Sequence, residues 1–347
     1  MYSGGRSNNH YLKIIIGIAI SFFFLFLAIR KIDVTQMKQA FSVANYWYIF
    51  PSIVIIFISH WFRSLRWKLL TAPLKQMKAK DLFSSLLIGY SANTVLPAHL
   101  GEFLRAYTIG RKYNVAMPSV FATIVTERII DILSLIAIMI LAFLLFPFPT
   151  WVKNSGILLS SFTLGLLLLF LLSRKYQQNI YRLFDFLFKP FKVEIKSRVT
   201  NLFASFFDGV QPLKKTSDYL SVVILSCILW ICYLGVFYIS FYTFDLIQTY
   251  NLNFTAAVVL LVITTISLVV PSSPGYIGTY HWLCQVSLEL FSVPGSVGLS
   301  FAILLHLINF FPVFIVGFIL AWKEGISFTK EKRNSDHVCL DPFACNE

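Results

Sequence analysis

The chain has 347 residues, of which 57% are hydrophobic, 17% aromatic and only 13% charged, with a mean hydropathy of +0.73 and a formal net charge of +13. No water-soluble domain carries this composition, and it predicts an all-α polytopic membrane protein. The basic residues flank apolar runs rather than forming a soluble module, so they meet the bilayer and no nucleic-acid partner is expected.

A hydrocarbon core of about 30 Å needs about 20 helical residues. Six apolar runs approach that length: Leu12 to Ile29, Tyr46 to Phe62, Ile129 to Phe146 with an amphipathic entry from Met117, Gly156 to Leu172, Tyr219 to Phe244, and Leu299 to Trp322. The first is read as a retained anchor, because Ala28, Ile29, Arg30 and Lys31 offer no small-residue cleavage site. Two further runs, Leu82 to Leu96 and Phe254 to Val270, each stop at a proline followed four residues later by a glycine: Pro97 with Gly101, and Pro271 with Gly275. Proline removes a backbone donor and glycine adds backbone freedom, so such breaks persist in lipid only where protein or water covers the freed groups. The expected architecture is therefore about six full transmembrane helices plus two broken or re-entrant hairpins, near 82–114 and 254–293. These lie in one transmembrane domain over 1–322, with an amphipathic loop at 174–218 and a polar tail at 323–347.

Lysine and arginine set the orientation. Arg63, Arg66, Lys68, Lys75, Lys78 and Lys80 follow the second run, nine basic residues lie between Arg174 and Lys215, and the tail adds Lys323, Lys330, Lys332 and Arg333. The opposite side holds Arg30, Lys31, Lys38 and Lys153. Both termini are thus expected in the cytoplasm, in the plasma membrane. Because a hairpin returns the chain to the side it left, the two hairpins would open to opposite faces, as in an inverted repeat. In the loop, Leu183, Phe184, Leu187 and Phe188 recur at helical spacing, which fits a helix lying on the inner surface. Cys227, Cys232, Cys284, Cys339 and Cys345 form neither a disulfide framework nor a metal pattern, so no metal and no cofactor is expected.

Charges inside a membrane segment cost about 2.5–3.5 kcal/mol each on insertion scales and tend to face a partner or water. Glu102 and Arg105 follow the first break, and Glu127, Arg128 and Asp131 open the third run; their formal sum is minus one. They are candidates for a substrate pathway, with a structural ion-pair network as the competing reading. The second half repeats the spacing in neutral form. His306 and Asn309 match the separation of Arg128 and Asp131, Ser267 precedes Pro271 as Asn93 precedes Pro97, and Pro118 and Pro294 follow the two hairpins. Around the second break, Pro271, Ser272, Ser273, Pro274, Gly275, Gly278 and His281 form a glycine- and hydroxyl-rich stretch whose following half-helix would present a positive end to a phosphate or carboxylate.

Asn93 with Leu96, Pro97, Gly101, Glu102 and Arg105, then Glu127, Arg128 and Asp131, then Pro271, Pro274, Gly275 and Gly278, with Arg66 and Trp67 earlier, resemble the flippase-like family related to the transmembrane region of lysylphosphatidylglycerol synthases. The resemblance spans roughly Leu12 to Trp322. Tyr276 stands where many relatives have a second glycine, and His281 lies near an expected glutamate. The soluble aminoacyl-transferase domain of full synthases is not expected. The resemblance implies translocation, by a flippase or scramblase, of an anionic lipid: a phospholipid or a polyprenyl-phosphate-linked sugar. Two other classes compete. One is a scaffold for a glycosyltransferase or synthase partner; the other is an integral-membrane transferase using Glu127 and Asp131, against which stands the lack of a His-Glu-x-x-His helix, a Gly-x-Ser-x-Gly elbow or a P-loop.

Overall fold

The computed structural model describes residues 22–30, 32–96, 99–148, 193–210, 213, 215–269 and 274–325, with scattered residues between 150 and 178. Most of the expected first span and about half of the Gly156 to Leu172 run lie outside the described residues. So do Pro97, Pro271, Ser272, Ser273, the loop residues Leu183, Phe184, Leu187 and Phe188, and the tail beyond Gly325.

Among the described residues the secondary structure is helical throughout. Helix α1, Val34–Val43, starts at Asp33, whose carboxylate accepts from the Thr35 and Gln36 amides. After a single 3₁₀ turn, α2 runs Ile49–Thr71, nine residues past the expected end at Phe62, with Arg63, Trp67, Leu70 and Thr71 recurring at helical spacing on its buried face. The first hairpin is α3, Ala79–Val95, and α4, Leu100–Tyr113; α5, Met117–Leu145, follows with Pro118 in its first turn. The amphipathic entry and the third apolar run are thus one helix. Then come α6, Val193–Gly209, α7, Thr216–Thr243, and the short α8, Leu246–Tyr250. The second hairpin is α9, Phe254–Val269, and α10, Thr279–Glu289, followed by α11, Gly295–Lys323. Four of the described segments are long and apolar enough to cross a membrane: Tyr46–Thr71, Met117–Leu145, Thr216–Thr243 and Gly295–Lys323.

The helices pack in pairs that match when the two halves are exchanged. Within each half, the hairpin arms pack together (α3 with α4, α9 with α10) and the second arm packs on the following helix (α4 with α5, α10 with α11). Between halves, α2 packs on α7, α3 on α11 and α9 on α5. The crossings run antiparallel where polar contacts fix their direction. Asn45 N donates to Thr243 O near the start of α2 and Arg66 bonds Ser226 near its end; Ser84 bonds Glu324, and Ser91 donates to Phe314 O on α11. Antiparallel partners exchanged by one operation are the signature of an inverted arrangement.

Lipid is as apolar as leucine, so close backbone approach and polar contacts rather than water exclusion hold such helices together. Both act on α3. A Cβ on Gly101 would sit 1.9 Å from Gly89 O, and one on Gly317 would sit 2.2 Å from Leu87 O. Asn93 Oδ1 accepts from Gly101 N at 2.7 Å and closes the first hairpin at its tip. At its base Asp81 accepts from Lys112 Nζ at 2.8 Å and Tyr113 Oη at 2.6 Å. Partial burial pushes the Asp81 carboxyl up, but those two bonds and the nearby Lys112 and Lys78 charges outweigh it and hold it below its ordinary range.

Candidate functional site

Seven charged side chains from three helices meet inside the protein. Glu127 lies ten residues into α5, about 15 Å from one end of that helix and about 27 Å from the other. It is wholly buried and accepts from Arg63 Nε at 2.5 Å and from Arg105 Nη2 at 2.5 Å. Asp131, one turn further on the same face, accepts from Arg63 Nη2 and from Arg66 Nη2, the latter at 2.5 Å. Arg128 donates to Glu102 at 2.7 Å and lies 3.6 Å from Asp131.

Two of these residues correct the sequence reading. Arg63 and Arg66, counted above among the basic residues of a cytoplasmic loop, are buried on α2 and supply three of the contacts to the carboxylates of α5. The charge total reverses with them. Four guanidinium groups face three carboxylates, so the formal sum is plus one where the five residues first singled out give minus one. The missed signal is the Arg-x-x-Arg spacing, which puts both groups on one face of a helix whose apolar residues continue past them.

Burial grades across the cluster. Glu127, Arg66 and Arg105 are shut in, whereas the Arg128 side chain is 34% exposed and those of Glu102 and Asp131 are 19% and 18% exposed. The arginines are not fully satisfied: Arg66 Nε and Arg105 Nε and Nη1 are buried with no hydrogen-bond partner. The Arg105 guanidinium instead lies 3.6 Å above the Trp67 ring, and Trp67 is fixed by its own bond to Thr123 Oγ1 at 2.8 Å.

The second break meets the first beside this cluster. Gly275 (φ +69°) and Gly278 (φ +94°) adopt backbone that only glycine takes freely, and a Cβ on Gly275 would lie 3.5 Å from Thr94 O at the end of α3. Tyr276 and His99 are both left-handed without being glycine, and the Tyr276 hydroxyl lies 3.0 Å from His99 Nε2, tying the two breaks across 177 residues of sequence. His306 Nε2 lies 2.7 Å from Gly275 O, and its ring stacks on Phe310 at 4.4 Å and sits 4.8 Å from His281. The expected open helix end is partly closed, because His281 Nδ1 accepts from Gly278 N at 3.4 Å and Thr279 and Tyr280 are buried. Asn309 bonds back to Leu305 O within α11 rather than joining the charges.

Next to the ion pairs an apolar crevice of about 810 Å³ opens between α5, α6 and α7. Its wall includes Thr126, Ile130, Ser134, Trp230 and Ser226, the last being the acceptor of Arg66 Nη1 at 2.9 Å. This volume falls in the range of roughly 300–1,000 Å³ usual for ligand pockets.

Helices that cross a membrane, two interrupted hairpins meeting at their breaks and buried ion pairs beside them define an integral membrane protein of the class that carries an internal polar site. The family model for the lysylphosphatidylglycerol synthase transmembrane region matches residues 14–317, and the chain belongs to that family. It is 23% identical to a UPF0104 membrane protein of Methanothermobacter thermautotrophicus, over 81% of this chain and 87% of that one. A second UPF0104 membrane protein, from Methanocaldococcus jannaschii, is 22% identical over 90% of this chain and 96% of its own length. The glycosyltransferase AglD of Haloferax volcanii is 27% identical over 125 residues, which is 36% of this chain and 20% of that enzyme. No solved structure matches the chain.

Proposed function

We propose that the protein translocates an anionic lipid, a phospholipid or a polyprenyl-phosphate-linked sugar, across the plasma membrane, with both termini cytoplasmic and residues 1–322 acting as one translocation unit. The observation that carries this reading is the net positive cluster beside the meeting point of the two breaks. A lipid headgroup must cross hydrocarbon while its chains remain in it, so a translocator needs a polar station inside and an apolar flank beside it. Arg128, the most exposed of the four arginines, would receive the phosphate through charge-assisted bonds, and the 810 Å³ crevice would take a hydrocarbon chain. Asn93, Gly101, Glu102, Gly275, His306 and the bridging pair His99 and Tyr276 would line the rest of the path.

The test is reconstitution into vesicles containing headgroup-labelled lipids, with a membrane-impermeant quencher reporting which leaflet each label occupies. Wild-type protein should equilibrate an anionic phospholipid between leaflets, and Arg128→Gln at equal reconstituted level should slow it at least tenfold. Equal rates with and without protein would refute the reading. The partial similarity to a glycosyltransferase favours one second reading, a membrane partner for an enzyme acting on lipid-linked sugars. That reading predicts movement or turnover of lipid only when a co-purifying enzyme is present.

A further inference from the structure

The charge balance of the cluster says more about the substrate than that it is anionic. Seven formally charged groups are held together by contacts of 3.8 Å or less, and every carboxylate among them is engaged by at least one arginine. The remaining imbalance is one positive charge. The neighbouring His60 adds none in its neutral form; it is buried, its ring centre lies 5.2 Å from that of Tyr90, and its Nδ1 has no partner. An unbalanced charge in a low-dielectric interior is unfavourable, and the loss is relieved by one counter-charge but not by two. The unpartnered N–H groups of Arg105 and Arg66 independently mark the positive side as under-satisfied, with both side chains almost wholly buried.

We infer that the site is matched to a headgroup carrying a single negative charge, a phosphodiester, and that it discriminates against both zwitterionic headgroups and diphosphates. This rests on the proposed lipid translocation for its biological meaning, and it narrows the substrate to phospholipids with one net negative charge or to sugars joined to polyprenol through one phosphate. Headgroups with no net charge leave the cluster positive, and diphosphates overshoot it. The edge residues Arg128 and Glu102 set the balance, because they are partly exposed and bond each other, so they can be altered without opening the Glu127 core.

Binding of short-chain lipids to detergent-purified protein tests this apart from transport. The probes are a phosphatidylglycerol, a phosphatidylcholine and a diacylglycerol pyrophosphate with the same chains, each titrated with thermal stability and intrinsic tryptophan fluorescence as readouts. Wild-type protein should bind the phosphatidylglycerol about tenfold tighter than either of the others, which corresponds to about 1.4 kcal/mol. Arg128→Gln brings the formal sum to zero and should erase the preference over phosphatidylcholine; Glu102→Gln brings it to plus two and should shift preference toward the pyrophosphate. Arg128→Lys keeps the sum and should keep the preference, and it guards against misfolding of the glutamine variant. Affinities within twofold for all three lipids, or preferences unmoved by both charge changes, would overturn the inference. Preserved selectivity without leaflet exchange in vesicles would leave charge matching standing and remove translocation; leaflet exchange of all three lipids at equal rates would do the reverse.

Discussion

The two halves solve the same backbone problem with different chemistry. In the first, the break between α3 and α4 leads into a helix pair held by arginines and carboxylates. In the second, the break between α9 and α10 leads into one held by His306, His281, Tyr280 and Phe310, with His306 on the carbonyl of Gly275. The packing pattern is shared while the charges are not. The two halves thus share their helix contacts, and one of them carries the electrostatics. The neutral half holds backbone through His306 on Gly275 O, and the charged half gathers arginines and carboxylates.

The largest effect of any single change falls on Glu127, at the centre of the charged half. Its loss leaves the buried Arg105 without a carboxylate and Arg63 and Arg66 with Asp131 alone, and breaking a buried pair by removing one partner costs about 3–5 kcal/mol. Glu127→Ala should therefore abolish accumulation of folded protein in membranes, read by size-exclusion chromatography of the detergent extract. His306, which stands where Arg128 does in the charged half, should be far more tolerant. His306→Phe keeps the stack on Phe310 and removes one hydrogen bond, a change of about 1 kcal/mol, so folded yield should stay near wild type.

Glycine substitutions sharpen the comparison at the next level. Gly101→Ala forces a methyl onto Gly89 O and Asn93 Oδ1 and should destabilise by about 1–3 kcal/mol, the usual range for overpacking. Gly235→Ala on α7, where nothing lies within 4 Å, should leave thermal stability unchanged or slightly raised. Equal responses at the two positions would mean that the first hairpin does not close as described.

The smallest expected effect lies at the hairpin base. The folded-state carboxyl of Asp81 sits below its unfolded value, so its contribution is fully present above the ordinary carboxylate value of about 3.8 and is lost as pH falls through the depressed folded value. Asp81→Asn should lower stability at neutral pH by less than about 1 kcal/mol, since Lys112 is half exposed, and the wild-type and variant melting curves should converge in acid.

Much of this was legible in the residues. The membrane class followed from composition, both breaks from the spacing of proline and glycine, and five members of the charge cluster from their placement in apolar sequence. Arg63 was not singled out, and Arg66 entered through the family resemblance without being placed in the cluster, because positive residues just past an apolar run satisfy the orientation rule and that rule absorbed them. The bond between His99 and Tyr276 was invisible for another reason. It joins residues 177 positions apart, and both occupy a left-handed backbone that their side chains do not advertise.

The two breaks meet through Tyr276 with His99 and Gly275 with Thr94, and the proposed headgroup path runs past that contact. A Thr94→Cys, Gly275→Cys pair in a background free of the native cysteines tests this in vesicles, with the folded yield of the reduced pair, set against that of wild type, as the control for strain at φ +69°. Rapid disulfide formation under mild oxidation, arrest of leaflet exchange when the bond forms and recovery on reduction are expected. Failure of the pair to cross-link, or cross-linked protein that still moves lipid at the reduced rate or faster, would contradict this arrangement.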